Sequence, residues 1–254
     1  MKNKIKNIIP VTVLILVLVL VWVIVSQLEI IPEFMLPSPQ AVFFAFIKNF
    51  TTMLNHAVIT LFETFVGLTI SVILAFFLAL LMDKFTIIQK AIQPLLIATQ
   101  TIPTIVIAPI IILFFGYGIL PKIVLVVICC FFPITIALFD GFINVEKDYL
   151  NLLKCMNANY MQILIHLKIP FAMPYFFSGL KISVTYAFIS AVVSEWLGGT
   201  MGLGVYMTRV KSTYSFDKLF ASIIFISVTS FVFIKVIDLI QKKVLNRLHI
   251  DKRG

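Results

Sequence analysis

The chain has 254 residues, of which 61% are hydrophobic and 12% charged, against roughly 45–50% and about 25% in soluble domains. A core of this size cannot hide that much apolar surface from water, so lipid must solvate the rest and the chain reads as a single transmembrane unit over residues 1–254. The net charge of +9 would suggest nucleic acid in a soluble protein, but here the basic residues flank apolar runs, as orientation signals do, and no nucleic-acid recognition motif is present.

Six segments approach the ~20 mostly apolar residues that a membrane-spanning helix needs. In chain order they are Ile9–Gln27, Val58–Met82, Pro94–Phe115, Leu120–Phe139, Pro174–Trp196 and Leu219–Ile240. The first follows Lys2, Lys4 and Lys6 and so imitates a signal peptide. The apolar run is longer than a signal's and lacks an A-x-A-like site, which predicts an uncleaved first helix. In the second segment Gly67, Ser71 and Ala75 recur every four residues, a spacing that lets helices approach closely.

Loop charges give the orientation. With the N-terminus inside, the cytoplasmic side carries Lys2, Lys4, Lys6, Lys84, Lys90, Lys147, Lys154, Lys168, Lys242, Lys243, Arg247, Lys252 and Arg253. The outer side carries Lys48, Lys122, Arg209, Lys211 and Lys218. Thirteen against five predicts a multi-pass protein of the cell membrane with both termini in the cytoplasm.

Between the fourth and fifth spans, residues 141–173 are too long for a plain connector. Leu150, Leu153 and Asn157 fall on one helical stripe, and Ile163, Leu164 and Leu167 form a second. Asn157-Ala158-Asn159 lies between them, and Asn tolerates left-handed backbone geometry. The segment therefore reads as helix–turn–helix, with Pro170 and Pro174 expected to break the second helix before span five. Two roles fit such an element: docking into a groove of a cytoplasmic partner, or lying on the membrane surface.

Several side chains are candidates for a pathway. Gln100, Thr101 and Thr104 offer hydrogen bonds beside Pro103 and Pro109, either lining a path or joining helices. Glu63 and Glu195 are carboxylates inside predicted spans, where charge is costly. Glu63 fits an internal polar contact. Glu195, beside Trp196, fits either a gate or a carboxylate that reaches water at the rim. Gly198, Gly199, Gly202 and Gly204 follow, fitting tight turns of an outer gate or a plain loop.

Catalysis and metal binding find no support. Cys129, Cys130 and Cys155 form no C-x-x-C pair. The three histidines, His56, His166 and His249, fall outside the predicted spans and form no H-E-x-x-H. No G-x-x-x-x-G-K-[ST] loop is present, so ATP is not bound by that route. An ion-coupled secondary transporter is the alternative reading. It would be expected to show repeated halves with matching broken helices, and no repeat is seen between the halves.

The chain resembles the permeases of binding-protein-dependent ABC importers. Their cytoplasmic signature, E-A-A-x3-G-x9-I-x-L-P, aligns without gaps: Asn151, Leu152 and Leu153 stand at E-A-A, Asn157 at Gly, Leu167 and Ile169 at Ile and Leu, and Pro170 at Pro. The E-A-A residues themselves are missing. The flanks add Leu36-Pro37-Ser38-Pro39, Gln100-Thr101-Ile102-Pro103, Ala108-Pro109, Phe115-Gly116-Tyr117-Gly118, Phe131-Phe132-Pro133 and Ser178-Gly179-Leu180-Lys181. Ser194-Glu195-Trp196-Leu197-Gly198 and Gly202-Leu203-Gly204 complete a series that is similar to the branch serving nitrate, sulfonate, taurine and thiamine-precursor pyrimidines.

That resemblance implies an all-α, type I importer-like fold. It implies a permease pair, with a homodimer the simplest form, driven by a cytoplasmic ATPase dimer and fed by an extracytoplasmic binding protein. ATP would be used by the ATPase, with no cofactor bound by this chain. Asn151, Leu152, Leu153, Asn157, Ala158, Leu167, Ile169 and Pro170 would form the coupling element. Gln100, Thr101, Pro103, Glu195, Trp196, Gly202 and Gly204 would belong to the pathway or its gate.

Overall fold

The computed structural model describes residues 2–248, all of its regular elements helical. The helices are α1 (Lys2–Gln27), α2 (Pro39–Lys48), α3 (Phe50–Lys84), α4 (Thr86–Thr99), α5 (Thr104–Phe115) and α6 (Leu120–Ile143). They continue with α7 (Lys147–Cys155), α8 (Tyr160–Ile163), a π-helical turn (Leu164–Lys168), α9 (Ile169–Gly198), α10 (Leu203–Ser212) and α11 (Phe216–Arg247). Helices α3, α6, α11 and the continuous rod from Tyr160 to Gly198 are each long and apolar enough to cross a bilayer.

The core is the packing of α3, α6 and α9, made possible by small residues. A Cβ on Gly67 of α3 would lie 2.5 Å from Val126 Cγ1, and one on Gly179 of α9 would lie 2.6 Å from the Ala137 Cβ of α6. Close approach is what van der Waals packing between membrane helices requires. Ser71, on the Gly67 stripe, donates to the carbonyl of Val127 across the α3–α6 contact at 3.2 Å. Ser183 donates to the Cys130 carbonyl at 3.0 Å, and the Cys130 thiol donates back to the Ser183 carbonyl at 3.2 Å. Ala75, Ala79, Ala172, Ala187 and Ala191 are fully buried in this core.

The outer layers are thinner. Helix α1 exposes most of Val13–Val21, and its far end is held by Trp22, whose indole donates to the Pro37 carbonyl at 3.1 Å and lies 6.0 Å from the Phe220 ring. Helix α11 meets α9 through Lys181 and Asp238, 2.5 Å apart.

The third predicted span is not one helix. It divides at residues 100–103 into α4 and α5, which meet at a bend of 106°. Pro103 has no N–H to continue α4, and it pushes Ile102 out of the helical region. The last turn of α4 closes through Gln100 and Thr101, whose N–H groups reach the Ile97 and Ala98 carbonyls at 3.2 Å. Pro94, the expected start of this span, lies inside α4.

The expected break at Pro170 and Pro174 does not occur; helix runs on from Tyr160 to Gly198. The π-helical turn at Leu164–Lys168 precedes Pro170 and widens the ladder where the proline ring would otherwise strike the preceding turn. Two further helices, α2 and α10, occupy what the hydropathy pattern left as outer loops.

Candidate functional site

Three places along the α3–α6–α9 core carry the polar chemistry: a node at the end that the loop charges predict to lie outside (the outer node), a cavity at the α4–α5 elbow, and the helix–turn–helix at the opposite end.

The outer node is built on Glu195, three residues before the end of α9 and 1% exposed. Its Oε1 accepts from Thr60 Oγ1 at 2.7 Å, and its Oε2 accepts from the Gly204 N–H at 2.5 Å. Thr60 in turn accepts from the Leu203 N–H at 2.8 Å, and His56 Nδ1 accepts from the Gly202 N–H at 3.1 Å. Three successive backbone donors of the glycine-rich segment are thus fixed by side chains of α3 and α9. Gly202 has φ 128° and ψ 163°, a region open essentially to glycine alone. Arg209 ties the same segment from α10, donating to the Thr200 carbonyl at 2.8 Å.

A buried ion pair lies beside this node. Lys122 Nζ is 2.8 Å from Glu63 Oε1 and 3.3 Å from the Met201 carbonyl. Glu63 Oε2 has no hydrogen-bond partner among the described residues. The internal contact expected for Glu63 is therefore an ion pair across α3 and α6.

The sequence places three of these residues differently. Glu195 does not reach water at the rim; the rim reading fails because the 199–204 backbone supplies its hydrogen bonds. Lys122 is not an outer-loop charge but the third residue of α6, 5% exposed. His56 lies inside the long α3 and is 8% exposed, because that helix begins at Phe50. His249, Lys252 and Arg253 lie outside the described residues. A basic residue in the first turn of an apolar span, opposite a carboxylate in another, was the signal for the Lys122–Glu63 pair.

Trp196 does not join the node. It is 47% exposed and lines an apolar groove of about 850 Å³ between α9, α10 and α11, facing Phe231 and Ile234.

The elbow cavity has a volume of about 250 Å³. Gln100 and Thr104 line it from the two sides of the helix break, Cys129 and Pro133 from the middle of α6, and Tyr186 from α9. Thr104 Oγ1 is 3.7 Å from Cys129 Sγ. Thr101, by contrast, folds back on its own helix and donates to the Ala98 carbonyl at 2.7 Å. Pro103 is the N-cap residue of α5 and sets the break without lining the cavity.

At the opposite end, which the loop charges predict to face the cytoplasm, the helix–turn–helix forms as the sequence indicates. Asn157 takes φ 56°. Its N–H donates to the Lys154 carbonyl at 2.9 Å and that of Ala158 to the Leu153 carbonyl at 3.0 Å. This is the paired closure of a Schellman turn. Asn159 then starts α8 with a reciprocal capping box with Gln162. None of the α7 residues is buried; Asn151 and Leu152 point outward and Leu153 is half-buried. Leu167, Ile169 and Pro170 do not join the exposed turn: they lie half-buried on the rod that leads into α9. The rod is anchored by Asp83 at the inner end of α3, which meets Lys168 Nζ at 2.5 Å and accepts from the Tyr160 hydroxyl at 3.0 Å. Among the described residues, no group of three or more metal-ligating side chains forms.

Residues 67–250, which run from the middle of α3 and take in α4 to α11, match the family model described as binding-protein-dependent transport system inner membrane component. The chain belongs to this family. Over 203 residues the permease is 36% identical to a probable ABC transporter permease protein of Haemophilus influenzae, covering 80% of this chain and 83% of the relative. Over 195 residues it is 37% identical to the formylaminopyrimidine transport permease protein ThiX of Halalkalibacterium halodurans, covering 76% and 78%. Its fold matches the membrane subunit in an inward-facing structure of the MetNI methionine ABC transporter, with a TM-score of 0.65 at 16% identity over 76% of this chain and 96% of that one. Members of this family are permease components, not enzymes, and work with ATPase and substrate-binding partners.

Proposed function

We propose that this permease imports a small nutrient, either a thiamine-precursor pyrimidine or a sulfonate, taurine or nitrate-like anion, using ATP hydrolysed by a separate cytoplasmic ATPase dimer. An extracytoplasmic binding protein delivers the solute, and two copies of the chain, embedded in lipid with all termini in the cytoplasm, form the pathway. The name of the ThiX relative favours the pyrimidine.

The observation that carries this reading is the exposed α7 ending in the left-handed turn at Asn157. Its Leu152 is 58% exposed, and a helix presenting apolar residues to the cytoplasm suits a groove on a partner. Asn151, Leu152, Leu153, Asn157 and Ala158 form the docking element. Leu167, Ile169 and Pro170 carry its movement into α9. ATP binding closes the ATPase pair, draws the two coupling elements together, and moves the helical cores as rigid bodies. At the far end, the segment held by Glu195, Gly202 and Gly204 forms the outer gate, with Trp196 on its flank. Gln100, Thr101 and Pro103 shape the elbow between the two ends. The chain binds no cofactor of its own.

The test is co-purification of the tagged chain with its membrane's proteins. An ATPase is expected to come down and to be lost from Asn157→Pro, which cannot hold a φ near +56° and has no N–H for Lys154. Leu153→Asp is expected to lose it as well, with membrane insertion retained in both. Full recovery of the ATPase with either variant counts against this docking site. Transport by the chain alone, driven by an ion gradient, would overturn the importer reading.

A further inference from the structure

The elbow cavity offers polar groups beside a break in an apolar span. Its α6 wall, Cys129 to Pro133, lies near the middle of a 24-residue helix. Irregular backbone at such depth is tolerated where it is buried in protein or lines a water-filled cavity, and the α4–α5 break, bent by 106°, opens on this one. Gln100, which is exposed, and Tyr186, 45% exposed, both line the space, and neither side chain has a hydrogen-bond partner among the described residues. Gln100 offers a donor and an acceptor together, and Tyr186 a hydroxyl of either kind.

The lining holds no Lys, Arg, His, Asp or Glu. A sulfonate or nitrate stripped of water here would find no counter-charge, an expensive state. An uncharged planar ring with amino and ring-nitrogen edges loses little. It can hydrogen-bond to Gln100 and stack on Tyr186 or Phe132. The volume, about 250 Å³, lies just below the ~300–1,000 Å³ of pockets for drug-sized ligands, which suits a single ring and excludes a flavin.

We infer that the α4–α5 elbow is a solute subsite of the permease and that it selects uncharged single-ring heterocycles of the pyrimidine kind over anions. This rests on the importer reading above and assigns the substrate class within it.

Cys129 gives the test a native probe. It is partly accessible, Cys130 is buried, and the exposed Cys155 can be changed to Ser. The Cys155→Ser permease is reconstituted in vesicles with its ATPase and binding protein, and Cys129 is labelled with a small methanethiosulfonate reagent before ATP is added. A formylaminopyrimidine at about ten times its Kd is expected to slow labelling about tenfold, because only the unoccupied fraction reacts. Taurine at the same concentration is expected to leave the rate unchanged, and Gln100→Leu to lose the protection while the ATPase still co-purifies. Failure of Cys129 to react, equal rates with and without the pyrimidine, or equal protection by taurine would each overturn the assignment. Stimulation of the ATPase by the binding protein is read on the same vesicles. Its absence sinks the importer reading; its presence without protection sinks the subsite alone.

Discussion

Gly202 stands so close to Glu195 that a Cβ on the glycine would overlap the carboxylate. The two residues define each other: the carboxylate needs the space, and the backbone geometry that delivers the Leu203 and Gly204 N–H groups needs the glycine. Gly204 is also confined, since its Cβ would lie 2.6 Å from the Val192 carbonyl. Gly202→Ala is therefore expected to cost about 1–3 kcal/mol and to release the 199–204 segment from α3. The thermal midpoint in detergent should fall, and transport in vesicles should fall much further than ATPase association. Normal transport by Gly202→Ala would show that the fixed segment is not a gate.

The Lys122–Glu63 pair, 2.8 Å apart and with both side chains almost wholly buried, makes a second test. Removing one partner leaves an uncompensated buried charge, at about 3–5 kcal/mol. Lys122→Met should be strongly destabilised, and Glu63→Gln added to it should recover most of the loss. Thermal unfolding of the two single variants and the double variant measures the coupling. Additive losses would mean that the pair contributes no mutual stabilisation.

The physical signals differ in how far they reach along the chain. Hydropathy placed the four helices that are long and apolar enough to cross a bilayer, because burial in lipid acts on each ~20-residue window separately. Asn157 showed the turn between α7 and α8 for a similar reason, since its left-handed geometry is a local property. The division of span three was only half visible: Pro103 marked a weakness, but the 106° bend depends on what α6 and α9 offer the broken ends. The outer node was less legible still. Thr60 and His56 lie more than 130 residues before Glu195 and Gly202, and nothing local says that α3 and α9 meet at one loop. Lys122 misled because a lysine near a helix end reads as a solvated charge until its carboxylate partner is found.

At the coupling turn, the family signature has glycine where this chain has Asn157. Asn157→Gly should keep ATPase association, because glycine enters the left-handed region freely. Asn157→Ala should weaken it by about 1–2 kcal/mol, roughly 5–30-fold in affinity. Titration of the purified ATPase against the reconstituted variants reads this difference. Equal affinity of the Ala and Gly variants would show that the turn's handedness does not matter for docking.

Orientation has its own check. A reporter fused after Gly254 is expected to stay cytoplasmic, as the excess of basic residues on that side requires. Labelling of that end from outside intact cells would invert the arrangement and place α7 on the wrong side for an ATPase.

Asp83 links the coupling segment to the core. Its carboxylate holds Lys168 on the π-helical turn and the Tyr160 hydroxyl at the start of α8, tying the end of α3 to the rod that leads into α9. In the proposed function, docking uses α7 and the turn, and the partners found for Asp83 are Lys168 and Tyr160. Asp83→Asn keeps the shape but removes the charge that pairs with Lys168, so motion of the coupling element should reach α9 and not α3. The expected result is normal co-purification of the ATPase with several-fold slower transport per ATP hydrolysed, since a lost conformational linkage of about 1–2 kcal/mol corresponds to roughly 5–30-fold in an equilibrium. Parallel measurement of uptake and phosphate release in the same vesicles gives that ratio. An unchanged ratio would show that α9 alone carries the movement; loss of the ATPase would place Asp83 in the docking surface.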